Sequence, residues 1–166
     1  MYLGKRPNSL PKPLIIGTSV IARVVALGPD ATKLRPGDLI FVDIIIRSRS
    51  DETDIFLAGI HEGFSDGSRK LMTDGYRDWT YAEYCLTPLE NLSLLDERRL
   101  LGDPEQRGLG YKLEDLNFLT TVLVPYGGLK DIELQAGQTV IVAPATGSFG
   151  GATVLVALAM GDCNGS

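Results

Sequence analysis

The sequence predicts an α+β chain in two parts: a β-rich, irregular part over 1–112 and a helix–turn–strand–loop–helix part over 113–166. Three observations predict it. β-branched apolar stretches separated by Gly, Pro and Asp turns fill the first part. Leu113, Leu116, Leu119 and Leu123 then take helical spacing. From Gln138 to Gly161 come a short apolar run, a glycine-rich loop and a second apolar run.

The elements follow in order. Met1–Pro13 carries Pro7, Pro11 and Pro13 and reads as an extended arm. Leu14–Gly17 and Val20–Leu27 have strand composition, with Gly28-Pro29-Asp30 as the turn. Arg35-Pro36-Gly37-Asp38 is a second turn, leading into a strand over Leu39–Ile46. Arg47–Arg77 is polar and Gly/Asp-rich, so long loops are expected. Trp79–Leu86 alternates aromatic with small or polar residues and reads as a strand, which makes Cys85 a buried small hydrophobe. Asp96–Lys112 is a charged connector. The helix over Leu113–Val124 is expected to end or kink at Pro125 and Gly127-Gly128. Gln138–Ala143 reads as a strand, and Thr153–Met160 as a buried helix closed by Gly161.

Composition narrows the function. Hydrophobic residues at 44% and charged residues at 22% are ordinary globular usage, which excludes collagen, coiled coil and disorder. Sixteen Lys+Arg against 21 Asp+Glu leave a net charge of −5, so a nucleic-acid partner is not expected. Two cysteines, Cys85 and Cys163, cannot build a disulfide framework or a four-ligand zinc site. Met1–Pro13 lacks an apolar core of signal-peptide length, and no run reaches the ~18 apolar residues of a membrane helix. A soluble, cytoplasmic chain without a membrane partner is the expectation.

One motif carries chemistry. Val140–Val142 leads into Ala145-Thr146-Gly147-Ser148-Phe149-Gly150, an A-x-G-x-x-G form of the dinucleotide fingerprint. Gly147 lets backbone approach a pyrophosphate, and Gly150 lets helix sit close to strand. The helix N-terminus offers free N–H groups and a positive dipole end, and Ser148 adds a hydroxyl. Against this stands a plain strand–turn–helix whose small residues serve packing. The acidic ribose partner usually lies about 20 residues further on. Only 16 residues follow Gly150 in the 166-residue chain, and Asp162–Ser166 are poor strand formers.

Four motifs in order then resemble the medium-chain dehydrogenase/reductase superfamily, the zinc-type alcohol dehydrogenases and quinone oxidoreductases. Pro13–Gly17 followed by Val20–Gly28 is similar to the family's first barrel strands. Leu34–Ile40 resembles its K-x-G-D-x-V turn, and Trp79–Tyr84 its G-x-x-A-E-Y segment. Ala136–Val142 resembles x-G-E-x-V-L-V before the glycine loop. The resemblance runs from about Pro13 to Gly161, and among subgroups the A-x-G-x-x-G loop is closer to quinone-oxidoreductase-like members.

The resemblance implies a partial GroES-like β-barrel domain over 1–112, followed by the first β-α unit of a truncated, NAD(P)-binding Rossmann domain over 113–166. It implies NADP or NAD as cofactor and a carbonyl, alcohol or enone as substrate. Ala145 to Gly150 would hold the pyrophosphate; no catalytic residue is assigned. It also implies no zinc. Where zinc members carry Gly-His-Glu, this chain has Gly17-Thr18-Ser19, and hydroxyls are poor zinc ligands. No Cys lies between Asp43 and Tyr84, where a four-Cys lobe would sit, or near the start of the Leu113 helix. Family members are considerably longer. A chain truncated at both ends is therefore expected to have open strand edges, impaired or no activity alone, and no oligomer through the usual dimer edge. The alternative is a non-catalytic remnant or interaction module of the same fold.

Other residues invite chemistry and have plainer readings. His61-Glu62 lies in a polar loop away from the Gly-His-Glu position, and Asp51, Glu52 and Asp54 suit an acidic loop. Thr120 and Thr121 suit helix threonines bonded back to carbonyls. Tyr126 suits a packed aromatic beside Gly127-Gly128. Asn91-Leu92-Ser93 and Asn164-Gly165-Ser166 match a glycosylation sequon that means nothing without a signal peptide.

Overall fold

The computed structural model describes residues 10–135 and 137–162. Cys163 and the last sequon lie outside them. The fold is α+β, in two compact units that divide between Gly110 and Tyr111.

The first unit is built on two small antiparallel sheets. β1 (Val20–Arg23), β2 (Leu39–Val42) and β5 (Leu92–Leu94) form one, in the order β1-β2-β5. β3 (Ile45–Arg47) and β4 (Ile55–Leu57) form the other. Val20 pairs with Val42, and Ile40 with Leu94. The β1–β2 turn is set locally. Gly37 sits at φ +95°, where a side chain would be strained, and the Asp38 carboxylate accepts from the Arg35 amide at 2.7 Å. All four residues of β2 are buried, because β2 is the central strand.

The expected Leu39–Ile46 strand divides at Asp43-Ile44 into β2 and β3. Buried Asn91 holds the break: its Nδ2 donates to the carbonyls of Asp43 (3.0 Å) and Ile45 (2.8 Å), and its own carbonyl accepts from the Asp43 amide (2.9 Å). Backbone groups freed from the ladder thus stay satisfied.

The polar stretch expected as loops contains β4 and a helix, α1 (Asp66–Gly75). Ser65 caps α1 by accepting from the Ser68 amide at 3.0 Å, and Asp66 places an acid in the first turn. Met72 is its fully buried anchor. A single anchoring apolar pair, Leu71-Met72, left too little periodicity to read a helix. A short α2 (Glu97–Leu101), capped by Asp96, stands in the expected connector.

Trp79, Phe56, Ile46, Met72 and Val42 form the centre of the core. Trp79 joins Leu14–Gly17 to it: its amide donates to the Ile15 carbonyl (3.0 Å) and its indole N–H to the Thr18 carbonyl (3.1 Å). Neither Leu14–Gly17 nor Trp79–Leu86 forms a strand, contrary to expectation. Tyr81 to Leu86 are exposed, Cys85 among them, so Cys85 is not a buried hydrophobe. Adjacent chain nevertheless desolvates its thiol and pushes its pKa up.

In the second unit a 3₁₀ turn (Asp115–Phe118) enters α3 (Leu119–Asp131), which packs on α4 (Ser148–Asp162). α3 starts later than expected and runs through Pro125 and Gly127-Gly128. Pro125 lacks the N–H that would bond to the Thr121 carbonyl, yet it is one of the two buried positions of the helix, with Leu129. α4 takes in Ser148 to Thr153 as well as the expected span and continues past Gly161. Gln138–Ala143 is not a strand, because no described segment pairs with it, and Ile141 is 90% exposed.

Candidate functional site

The candidate site is the loop into α4. The first intrahelical bond of α4 runs from the Gly151 amide to the Gly147 carbonyl at 2.8 Å. The amides of Ser148, Phe149 and Gly150 precede it and have no carbonyl of their own helix to meet. Ala145 to Phe149 are exposed, and no charged side chain occurs from Gln138 to Gly161. The positive end of the helix dipole therefore faces solvent without a carboxylate to occupy it.

The two fingerprint glycines differ in surroundings. A Cβ on Gly150 would overlap the Pro144 carbonyl oxygen and lie 3.1 Å from the Ala145 Cα. The helix thus approaches the loop as closely as glycine alone permits. Around Gly147 nothing lies within 4 Å of such a Cβ. Thr153 Oγ1 donates back to the Phe149 carbonyl at 2.7 Å. A groove of about 230 Å³ runs along the later part of α4, between Val140, Val142, Val154 and Leu158. Its wall is apolar and excludes the loop residues, so it suits packing rather than phosphate.

The Gly17-Thr18-Ser19 position is engaged in backbone support. The Thr18 carbonyl accepts from Trp79 Nε1 and from Thr80 Oγ1 (2.7 Å), and Ser19 Oγ accepts from the Ile44 amide (3.3 Å). Among the described residues no three His, Cys, Asp or Glu side chains come together as a metal cluster.

The remaining candidates have structural partners. His61 Nδ1 accepts from the Gly63 amide (3.0 Å), and its ring packs on Phe64. Buried Glu62 faces Arg69 Nε at 3.4 Å. Asp51 accepts from the amide and hydroxyl of Thr53, which lowers its pKa. Asp54 accepts from Ser65 Oγ at 2.6 Å and so supports the α1 cap. Thr120 Oγ1 donates to the Asn117 carbonyl (2.9 Å). Tyr126 is half-exposed, with Lys130 Nζ 5.8 Å from its ring centroid. Within the second unit, neither Thr120 nor Tyr126 bonds to the α4 loop.

A small antiparallel-sheet unit is thus followed along the chain by a glycine loop entering an apolar helix. The chain belongs to the alcohol dehydrogenase GroES-like domain family, whose model matches residues 1–97, and with it to the medium-chain dehydrogenase/reductase superfamily. It is similar to the crystal structure of a protein from Sinorhizobium meliloti 1021 provisionally named an alcohol dehydrogenase, at 28% identity and a TM-score of 0.64. That match covers 96% of this chain and 37% of the other, so the chain spans well under half of its relative. No curated protein sequence matches. Among the described residues no helix is long and apolar enough to cross a membrane.

Proposed function

We propose that the chain is part of a zinc-independent NAD(P)-dependent oxidoreductase, with a partial GroES-like barrel over 1–112 and the first β-α unit of a Rossmann domain over 113–166. The observation that carries this reading is the pairing of a crowded Gly150 with an open Gly147 at the start of α4. A dinucleotide loop needs both: close packing of helix on loop, and unobstructed backbone for the pyrophosphate.

Ala145 to Gly150 would hold the pyrophosphate. The amides of Ser148, Phe149 and Gly150 and the Ser148 hydroxyl supply donors, and the α4 dipole favours the negative charge. When bound, NAD or NADP supplies hydride chemistry toward a carbonyl, alcohol or enone. Zinc independence rests on donor chemistry. Thr18 and Ser19 offer hydroxyls, with the Ser19 oxygen already holding the Ile44 amide, and neither matches the imidazole, thiolate or carboxylate that zinc takes. A cytoplasmic setting is part of this reading and rests on composition alone.

The loop touches only the pyrophosphate, so binding by the chain alone is weak, about −5 kcal/mol or less negative. The test is a titration with NADPH and NADH followed by nicotinamide fluorescence, with Gly147→Asp as control. Saturable binding lost in the control supports the reading. Absence of binding at millimolar cofactor, in a chain shown to be folded, favours a non-catalytic module of the same fold.

A further inference from the structure

Three hydroxyls in the sequence follow an arginine by three residues: Ser9, Ser50 and Thr80. Ser9 lies outside the described residues. Thr80 is already engaged. Its Oγ1 donates to the Thr18 carbonyl (2.7 Å) and accepts from the Thr18 amide (3.1 Å), and the arginine before it, Arg77, is paired with Asp78 (2.8 Å). Ser50 differs on each count. It stands exposed in the loop between β3 and β4, with Arg47 three residues before it and Arg49 directly before it.

The loop is closed at its base and loose where Ser50 sits. The Ser48 amide donates to the Asp54 carbonyl (2.9 Å), and the Asp54 amide to the Asp51 carbonyl (3.1 Å). Ser50 meets only Ser48 Oγ, through its amide (3.2 Å) and its hydroxyl (2.9 Å). The carbonyls of Arg49 and Ser50 accept no hydrogen bond from a described residue. A tip held in this way belongs to the part of a structure that opens locally. The two arginines also differ. Arg49 is held by Glu90 (2.5 Å), and Asp30 adds to the negative field around it. Arg47 is exposed at the last position of β3 and forms no ion pair with a described residue.

We propose that Ser50 is a phosphorylation site for a protein kinase that reads an arginine three residues before its acceptor. Such kinases select by charge: carboxylates in the peptide groove take the guanidinium, and Arg47 is available to them. The γ-phosphoryl group of ATP passes to Ser50 Oγ. A P–O bond to the serine forms, the P–O bond to ADP breaks, and the hydroxyl proton goes to the kinase's catalytic aspartate. Phosphoserine carries a charge of about −1.5 to −2 at pH 7 and three acceptor oxygens. It stands next in the chain to Arg49, whose pair with Glu90 is exposed on both sides and therefore holds weakly. Arg49 exchanges Glu90 for the phosphate, which unties the loop from the 3₁₀ turn Leu89–Asn91 that leads into β5. The site is independent of the α4 loop and stands whatever that loop binds.

The test incubates the whole chain with magnesium-ATP and an active calmodulin-dependent protein kinase domain, an enzyme of this arginine-directed class. One phosphoryl group per chain is expected, placed on Ser50 by peptide fragmentation and absent in Ser50→Ala. Arg47→Gln is expected to lower kcat/KM for phosphorylation by about tenfold or more, the loss of one charge-assisted pair. Trp79 fluorescence checks that this variant is folded. In the modified chain the phosphate's second ionisation, followed by phosphorus NMR, is expected at lower pH than in modified Arg49→Gln, because a neighbouring cation favours the dianion. Asp30, Arg47, Asp51, Glu52 and Glu90 are common to both chains. The proposal is overturned if no phosphate is incorporated, if it goes to Ser9 or Thr80 rather than Ser50, or if Arg47→Gln is modified at the parent rate. Equal ionisation midpoints would overturn the exchange of partners at Arg49.

Discussion

The indole N–H of Trp79 donates to the Thr18 carbonyl at 3.1 Å, and Gly17 packs beneath the same ring. A Cβ on Gly17 would lie 2.5 Å from the Thr80 amide nitrogen and 2.8 Å from Trp79 Cδ1. The Gly17-Thr18-Ser19 segment thus ties Leu14–Ser19 to a fully buried tryptophan.

Gly17→Ala is therefore expected to destabilise the first unit by about 1–3 kcal/mol through overpacking. The chain's one tryptophan reports that unit alone. Urea unfolding followed by Trp79 fluorescence should shift to lower midpoint with unchanged slope. An unshifted midpoint would mean that Thr80 moves aside at no cost.

Trp79→Ala removes a side chain with no exposed surface and leaves the Thr18 carbonyl with Thr80 Oγ1 as its remaining side-chain partner. A loss of about 3–5 kcal/mol is expected, enough to unfold a unit of ordinary stability. Protease resistance of residues 10–110 should disappear, and its persistence would contradict the packing described above.

At the α4 loop the two glycines separate packing from openness. Gly150→Ala is expected to lower the thermal midpoint of the helical signal, because its Cβ meets backbone that cannot rotate away. Gly147→Ala, with open space, is expected to leave that midpoint nearly unchanged. Equal effects of the two would remove the structural basis of the cofactor reading.

Acid stability has a named contributor. Asp78 is held below the usual carboxylate range by the Arg77 guanidinium (2.8 Å) and by the Ile15 amide (2.9 Å). A lowered folded pKa means that the ionised form is bound more tightly in the folded state. Its contribution is present above the unfolded value of about 3.9 and is lost as pH falls through the folded value. Asp51, Glu90 and Glu97 shift in the same direction. Stability measured from pH 7 downward should stay level to about pH 5 and then fall. Asp78→Asn, which keeps an acceptor for Ile15, should flatten part of that fall.

Features that depend on neighbours a few residues away were readable from the residues alone. The Arg35–Asp38 turn needs only Gly37 at positive φ and an Asp38 carboxylate over the Arg35 amide. The glycine loop before an apolar helix and the split into a β-rich part and a helical part were readable for the same reason. Helix α1 had a local signal in Ser65-Asp66, a cap followed by an acid, which its weak apolar periodicity concealed.

Tertiary structure decided the rest, because a strand exists only where a distant segment pairs with it. Asn91 broke Leu39–Ile46 in two by capturing the carbonyls of Asp43 and Ile45. Leu92–Leu94 became a strand because β2 offered it an edge. Trp79–Leu86 meets Ile15 and Ile16 only through the Trp79 and Tyr81 amides, and Gln138–Ala143 has no described pairing partner, so neither becomes a strand. Pro125 and Gly127-Gly128, which disfavour a helix locally, are carried within α3, which packs on α4 and buries Pro125 and Leu129. Local chemistry set which backbone shapes were open to each segment; contacts between segments far apart in the chain selected among them.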